Sequence, residues 1–178
     1  MKKFFLLLLL GWSIYATGQT SIGVEFQAYP TGFIPGIHVE YAVGTKSSFQ
    51  GRIGYNVVRH RDLGVHEDER GGGFGGTLGY RYYFNPERKG WLLGARCDIW
   101  GNEVDWKDEI GQVNEVSGTT NVTVLQPTAE LGYVIPLKNN FIVLPTISLG
   151  AEINVKTEGA EVGQGAILLL GATLAKRF

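Results

Sequence analysis

Alternation with a period of two residues sets the narrowest limit on the folds open to this chain. In the segment 73–84, Phe74, Leu78, Tyr80, Tyr82 and Phe84 fall on one side, and Gly75, Thr77, Gly79, Arg81 and Tyr83 on the other. Successive side chains of a β-strand point to opposite faces, so this reads as a strand with one apolar and one polar face. The pattern recurs at about 21–29, 36–44, 48–58, 90–102, 121–135, 141–155 and 165–178, and no segment keeps a helical period. Together they make eight strands, an even number.

The connections sort into two classes. Thr45–Ser47, Asn85–Lys89 and Pro136–Asn140 are tight, whereas Arg59–Gly72, Glu103–Thr120 and Lys156–Gln164 are long and charged. The first connection, Pro30–Pro35, is shorter. Short turns at one end and long loops at the other fit a membrane barrel whose termini both lie on the short-turn side. Ahead of the strands, Lys2 and Lys3 precede an apolar run from Phe4 to Trp12, then small residues at Ala16 and Gly18. That is the pattern of a secretory signal peptide over residues 1–18, cleaved after Gly18 to leave a barrel domain over 19–178. Its apolar core falls short of the ~20 residues needed to span a bilayer. Cys97 is the sole cysteine, so no internal disulfide forms and no lipid anchor is expected next to the cleavage site. A net charge of −1 argues against a nucleic-acid partner.

Alternation alone does not say which face points inward, and a soluble secreted barrel would carry the same pattern with its apolar face inside. The signal-peptide pattern, the terminal Phe178 and aromatic residues near strand ends (Phe49, Tyr82, Phe84, Trp91, Tyr133 and Phe141) favour apolar-out. The interior then receives Glu25, His38, Glu40, Arg52, Arg81, Arg96, Asp98, Glu130 and Glu152, with glycines of the same parity leaving room for their side chains. Buried charges have to be paired, so this set is expected to form an ion-paired core. A turn centred near Lys46 would place Glu40 opposite Arg52 as a cross-strand pair. Arg81 and Arg96 would repel each other unless Asp98 or Glu130 lies between them. Val58, Leu92, Trp100, Ile167 and Leu169 share the inward parity outside the charged layer and form a candidate apolar pocket near the outer end.

No catalytic constellation emerges. A serine-type mechanism needs a hydroxyl beside a histidine that a carboxylate orients. His38 has Glu40 on its face but no inward serine beside it on its strand, and His60 and His66 lie in a charged stretch with Asp62, Glu67, Asp68 and Glu69. That stretch lacks metal-ligand spacing and reads as a solvated loop. Gly71-Gly72-Gly73 is followed by no helix and is not a phosphate loop. No catalytic residue, metal or cofactor is expected.

Over residues 19–178 the chain resembles the small eight-stranded outer-membrane barrels of the OmpA/OmpX-type superfamily. The resemblance rests on the leader pattern, the eight alternating segments, the turn classes, Phe178, and strand ends such as Leu131-Gly132-Tyr133 and Gly79-Tyr80-Arg81-Tyr82-Tyr83-Phe84. It implies an all-β, eight-stranded antiparallel up-and-down transmembrane barrel in the bacterial outer membrane, with periplasmic termini. It also implies that Phe178 is an insertion signal for the barrel insertion machinery, and that the wall meets outer-membrane lipid and lipopolysaccharide. The functional expectation is a non-catalytic protein whose surface loops, chiefly Glu103–Thr120 with Trp106, serve interaction with other proteins or envelope integrity. The alternative is a barrel that binds or passes small apolar solutes, as in the family of outer membrane protein W.

Overall fold

The computed structural model describes residues 19–178; the signal-peptide reading concerns residues 1–18 and lies outside the described residues. The strands are β1 (Thr20–Tyr29), β2 (Gly32–Ala42), β3 (Ser47–Arg61), β4 (Asp68–Tyr83), β5 (Gly90–Asp108), β6 (Val116–Pro136), β7 (Phe141–Glu158) and β8 (Gly165–Arg177). Each pairs antiparallel with the next in chain order, and β8 returns to pair with β1, closing the barrel. Closure leaves the terminal strand hydrogen-bonded on both edges, and the N–H of Phe178 donates to the Thr20 carbonyl at 2.8 Å.

The two faces of the wall differ as the alternation predicts. Ile53, Phe74 and Leu78 are each about three-quarters exposed, whereas Arg81, Asp98 and Trp100 are fully buried in the lumen. A continuous apolar exterior of this kind is stable in lipid and not in water, so the barrel is a transmembrane one with its polar face inside. Aromatic rings pair across neighbouring strands on the lipid face, including Tyr55 with Phe74 at 4.9 Å and Trp91 with Tyr133 at 5.0 Å between centroids. Lys176 also points outward, with its ammonium 5.3 Å from the Phe178 ring and 5.9 Å from that of Phe141.

At the end that carries the termini the turns are short. The N–H of Val43 bonds to the Ser47 carbonyl, and Asn85 accepts the Glu87 N–H through its side chain and the Arg88 N–H through its carbonyl. Asn139 and Asn140 supply the left-handed backbone of the β6–β7 turn, a conformation that asparagine tolerates better than most residues.

At the opposite end the strands run further than the sequence suggests. The three long connections shrink to 62–67, 109–115 and 159–164, because most of the charged stretches continue the ladders. In these extensions the outward face carries polar side chains such as Glu103 and Asp105 while inward residues such as Val104 and Thr120 stay buried, so the outward face no longer reads as apolar although the backbone pairing persists. The first hairpin differs in the other direction: Tyr29 pairs with Gly32, so its turn is only Pro30 and Thr31. On its other edge β2 pairs with β3 at Phe33 and again at Gly36, with a break at Pro35, which offers no N–H.

Candidate functional site: the lumen and the hairpin end

Three guanidinium groups interleave with four carboxylates across the middle of the lumen. Arg52 on β3 donates to Glu25 Oε1 on β1 at 2.9 Å, to Gln27 Oε1 at 2.7 Å and to Asp98 Oδ1 on β5 at 3.3 Å. Arg96 donates to Glu25 at 3.0 Å, to Glu130 Oε2 on β6 at 3.3 Å and to Asp98 at 3.3 Å. Arg81 on β4 reaches Glu130 Oε1 at 2.7 Å and Glu40 Oε2 on β2 at 2.8 Å. Glu130 therefore lies between Arg81 and Arg96 and offsets their repulsion. His38 faces Glu25 with Nδ1 at 3.0 Å, while its Nε2 lies 3.3 Å from Arg81 and 3.7 Å from Glu40. The Tyr83 hydroxyl completes the layer by donating to Glu40. A Cβ on Gly94 would come to 3.0 Å from the Tyr80 carbonyl oxygen and 3.1 Å from Glu130 Oε1, so a side chain there would crowd this carboxylate.

Two expectations for these residues need correction. Glu40 lies opposite Gln50, and Arg52 lies opposite His38. The turn is centred on Thr45, between the Val43 N–H and the Ser47 carbonyl to which it bonds, and not on Lys46. The resulting shift of two residues keeps every side chain on its face, so the inward set is unchanged while its partners differ. Glu152 does not join the ionic layer. It sits nearer the hairpin end, half-buried, and accepts the Gln126 side-chain N–H at 2.5 Å.

Apolar layers close the lumen on both sides of the charges. Toward the termini, Tyr83, Leu92, Val134, Ile142, Leu144 and Ala175 pack together; toward the hairpin end, Trp100, Ile34, Val104, Val122, Val124, Val162, Ile167 and Leu169 do so, with Tyr29 against them. The candidate apolar pocket is thus divided. Trp100, Ile167 and Leu169 belong to one layer, Leu92 to the other, and Val58 is buried outside both. Trp100 donates its indole N–H to Gln126 at 2.9 Å, and its ring lies 5.3 Å from the Arg52 guanidinium, which ties the upper layer to the ionic one.

The charged stretch around the remaining histidines is a clasp between hairpins and not a solvated loop. Glu69 receives His60 Nδ1 at 2.5 Å, the N–H groups of Val65 and His66, and the N–H of Gly163 from the β7–β8 connection. Burial raises the Glu69 pKa, but these bonds, His60 first, hold it below the ordinary carboxylate value. His66 stacks on Trp106 with centroids 4.1 Å apart, and its two nitrogens meet Asp108 Oδ2 at 2.6 Å and the Glu161 carbonyl at 3.0 Å. These partners lie 42 and 95 positions away, so no local pattern could have announced them.

No family model and no curated relative matches the sequence. Solved structures do. A major outer membrane protein from Thermus thermophilus superposes with a TM-score of 0.58 at 12% identity, over 91% of this chain and 100% of that one. Ail, the attachment invasion locus protein of Yersinia pestis, superposes with a TM-score of 0.52 at 16% identity, over 90% of this chain and 99% of that one. At such identities the likeness is one of architecture, and it agrees with the strand order and inside-out polarity described above. The chain has the fold of the small eight-stranded outer-membrane β-barrels.

Proposed function

We propose that this protein is an integral outer-membrane barrel without catalytic activity, a closed and rigid support that holds its long hairpins at the cell surface. The observation that carries this reading is the filling of the lumen. A layer of ion pairs lies between two packed apolar layers, and side chains from every strand except β7 contribute charge or hydrogen bonds to the middle one. An eight-stranded barrel has room for little besides its own side chains. The termini are assigned to the periplasm and the long hairpins to the outside, because short turns characterise the periplasmic side of such barrels. Phe178 and the strand it ends serve as the signal for the barrel insertion machinery, and the apolar wall meets lipid and lipopolysaccharide.

The hairpins formed by β3 with β4 and by β5 with β6 stand above the lipid belt and are cross-linked by the His66 clasp, which favours a preformed interaction surface over a set of flexible loops. Against enzymatic activity, each histidine has a carboxylate beside it, but among the described residues none hydrogen-bonds a serine, threonine or cysteine side chain that could act as a nucleophile. Planar-bilayer recording tests the closed-barrel reading. No stepwise conductance is expected at neutral pH; steps that disappear in Arg52→Trp or Arg96→Trp would overturn it.

A further inference from the structure

The rim of the barrel at the hairpin end is uneven. β1 and β2 are 10 and 11 residues long, against 15 to 21 for β3 to β7. β1 stops pairing with β8 at the Ala28–Leu170 pair, so residues 165–169 of β8 have β7 on one edge and no strand on the other. On the far side, β3 continues past Val58, its last residue paired with β2 (with Gly32), to Arg61. Only the two-residue turn Pro30-Thr31 spans the gap, leaving a notch in the wall. A crevice of about 260 Å³ occupies it, lined by Tyr29, His60, Leu63, Glu152 and Ile167 among others.

Glu152, half-buried on the crevice wall, differs from the lumen carboxylates in having no arginine partner. Glu25, Glu40, Asp98 and Glu130 each meet an arginine, and Glu69 meets His60; among the described residues Glu152 makes no ion pair. Its one hydrogen bond, from Gln126, occupies Oε2. Arg59, at the edge of the notch, turns away to Asp68 at 3.4 Å. A half-buried carboxylate is costly unless paired, and the side facing the crevice is where a partner can reach it. The crevice also presents the Tyr29 ring, fixed by its hydroxyl to Asn56 Oδ1 at 2.6 Å, and the apolar surfaces of Leu63 and Ile167. An aromatic face beside a carboxylate is the chemistry that recognises an organic ammonium.

We propose that the notch is a binding site for a small organic cation, an ammonium group carried on a short apolar body, with Glu152 as its counter-ion and Tyr29 and Ile167 as its apolar wall. His60 also lines the crevice, but its Nδ1 is held by Glu69 at 2.5 Å and it makes no ion pair with Glu152. The site goes beyond the closed-barrel reading and does not require passage through the lumen, since the apolar layer containing Trp100 and Leu169 lies beneath it.

The test is calorimetric titration of the full barrel in octyl glucoside micelles at pH 7 with benzyltrimethylammonium, benzyl alcohol and benzoate. Saturable binding of the cation at least tenfold tighter than that of the alcohol is expected, with benzoate weakest. Glu152→Gln should abolish the preference for the cation while retaining heat-modifiable gel migration as a check on folding. Ala166→Trp, an exposed position on the crevice wall, should weaken the cation by obstruction and leave Glu152 in place. Absence of saturable cation binding, equal affinity for cation and alcohol, or an undiminished preference in folded Glu152→Gln would each overturn the proposal.

Discussion

Arg81 shows how a single charge survives in a barrel interior. Its guanidinium is fully buried and donates to carboxylates on β2 and β6, so one side chain braces walls on different sides of the lumen. Removing one member of such a set is more damaging than never having had it, because the partners stay buried without compensation. Arg81→Met, close in length and without charge, strands Glu40 and Glu130, although Arg96 still reaches Glu130. We expect a loss of about 3–5 kcal/mol of stability, measured by urea unfolding in detergent with gel migration as the readout. A change within about 0.5 kcal/mol, the range of ordinary surface substitutions, would show that the ionic layer contributes little.

Among the elements, the hairpins are where sequence and structure part most. Their charged residues look like loops because loops are polar, yet outside the membrane the outward face of a ladder can be polar while its inward face, with Val104, stays packed. The β5–β6 hairpin keeps its pairing from Gly90–Val134 to Asp108–Val116. Its tip is held by Glu115, which accepts the Gly111 N–H at 3.0 Å and lies 3.5 Å from the Lys107 ammonium. That N–H and the lysine hold the Glu115 carboxyl below its ordinary pKa. A carboxylate whose pKa is lower folded than unfolded contributes stability that is present above the unfolded value, about 4.3, and is lost as pH falls through the lowered one. Protection of the Gly111 amide should therefore be constant from pH 7 to 5 and decline below about pH 4, and Glu115→Gln should remove the dependence. Hydrogen exchange, corrected for the intrinsic effect of pH, makes the comparison.

For the whole molecule, the barrel is an inside-out protein: an ionic middle layer, apolar layers above and below it, and a wall whose outer face is apolar. Folded and unfolded forms of such a molecule are distinguishable on a gel, because the closed barrel resists detergent until heated. The purified chain should require detergent for solubility, fractionate with outer membranes and migrate differently before and after boiling. Solubility without detergent would contradict the polarity of the wall.

Strand number, inward and outward parity, and the identity of nearly every lumen charge could be read from the sequence, because a period of two assigns each side chain a face whatever its partners turn out to be. Phe74 and Arg81 were on opposite faces in the alternation and are so in the barrel. Who meets whom could not be read. The place of Arg52 depended on a turn centred on Thr45 and on barrel closure, which carries its side chain to Glu25 and Asp98. His66 found Asp108 and Glu161, and Glu152 was left unpaired above the ionic layer, for the same reason. Alternation is a local property of the backbone, whereas contacts across a lumen or between hairpin tips arise only when eight strands have taken their registers and the last has closed on the first.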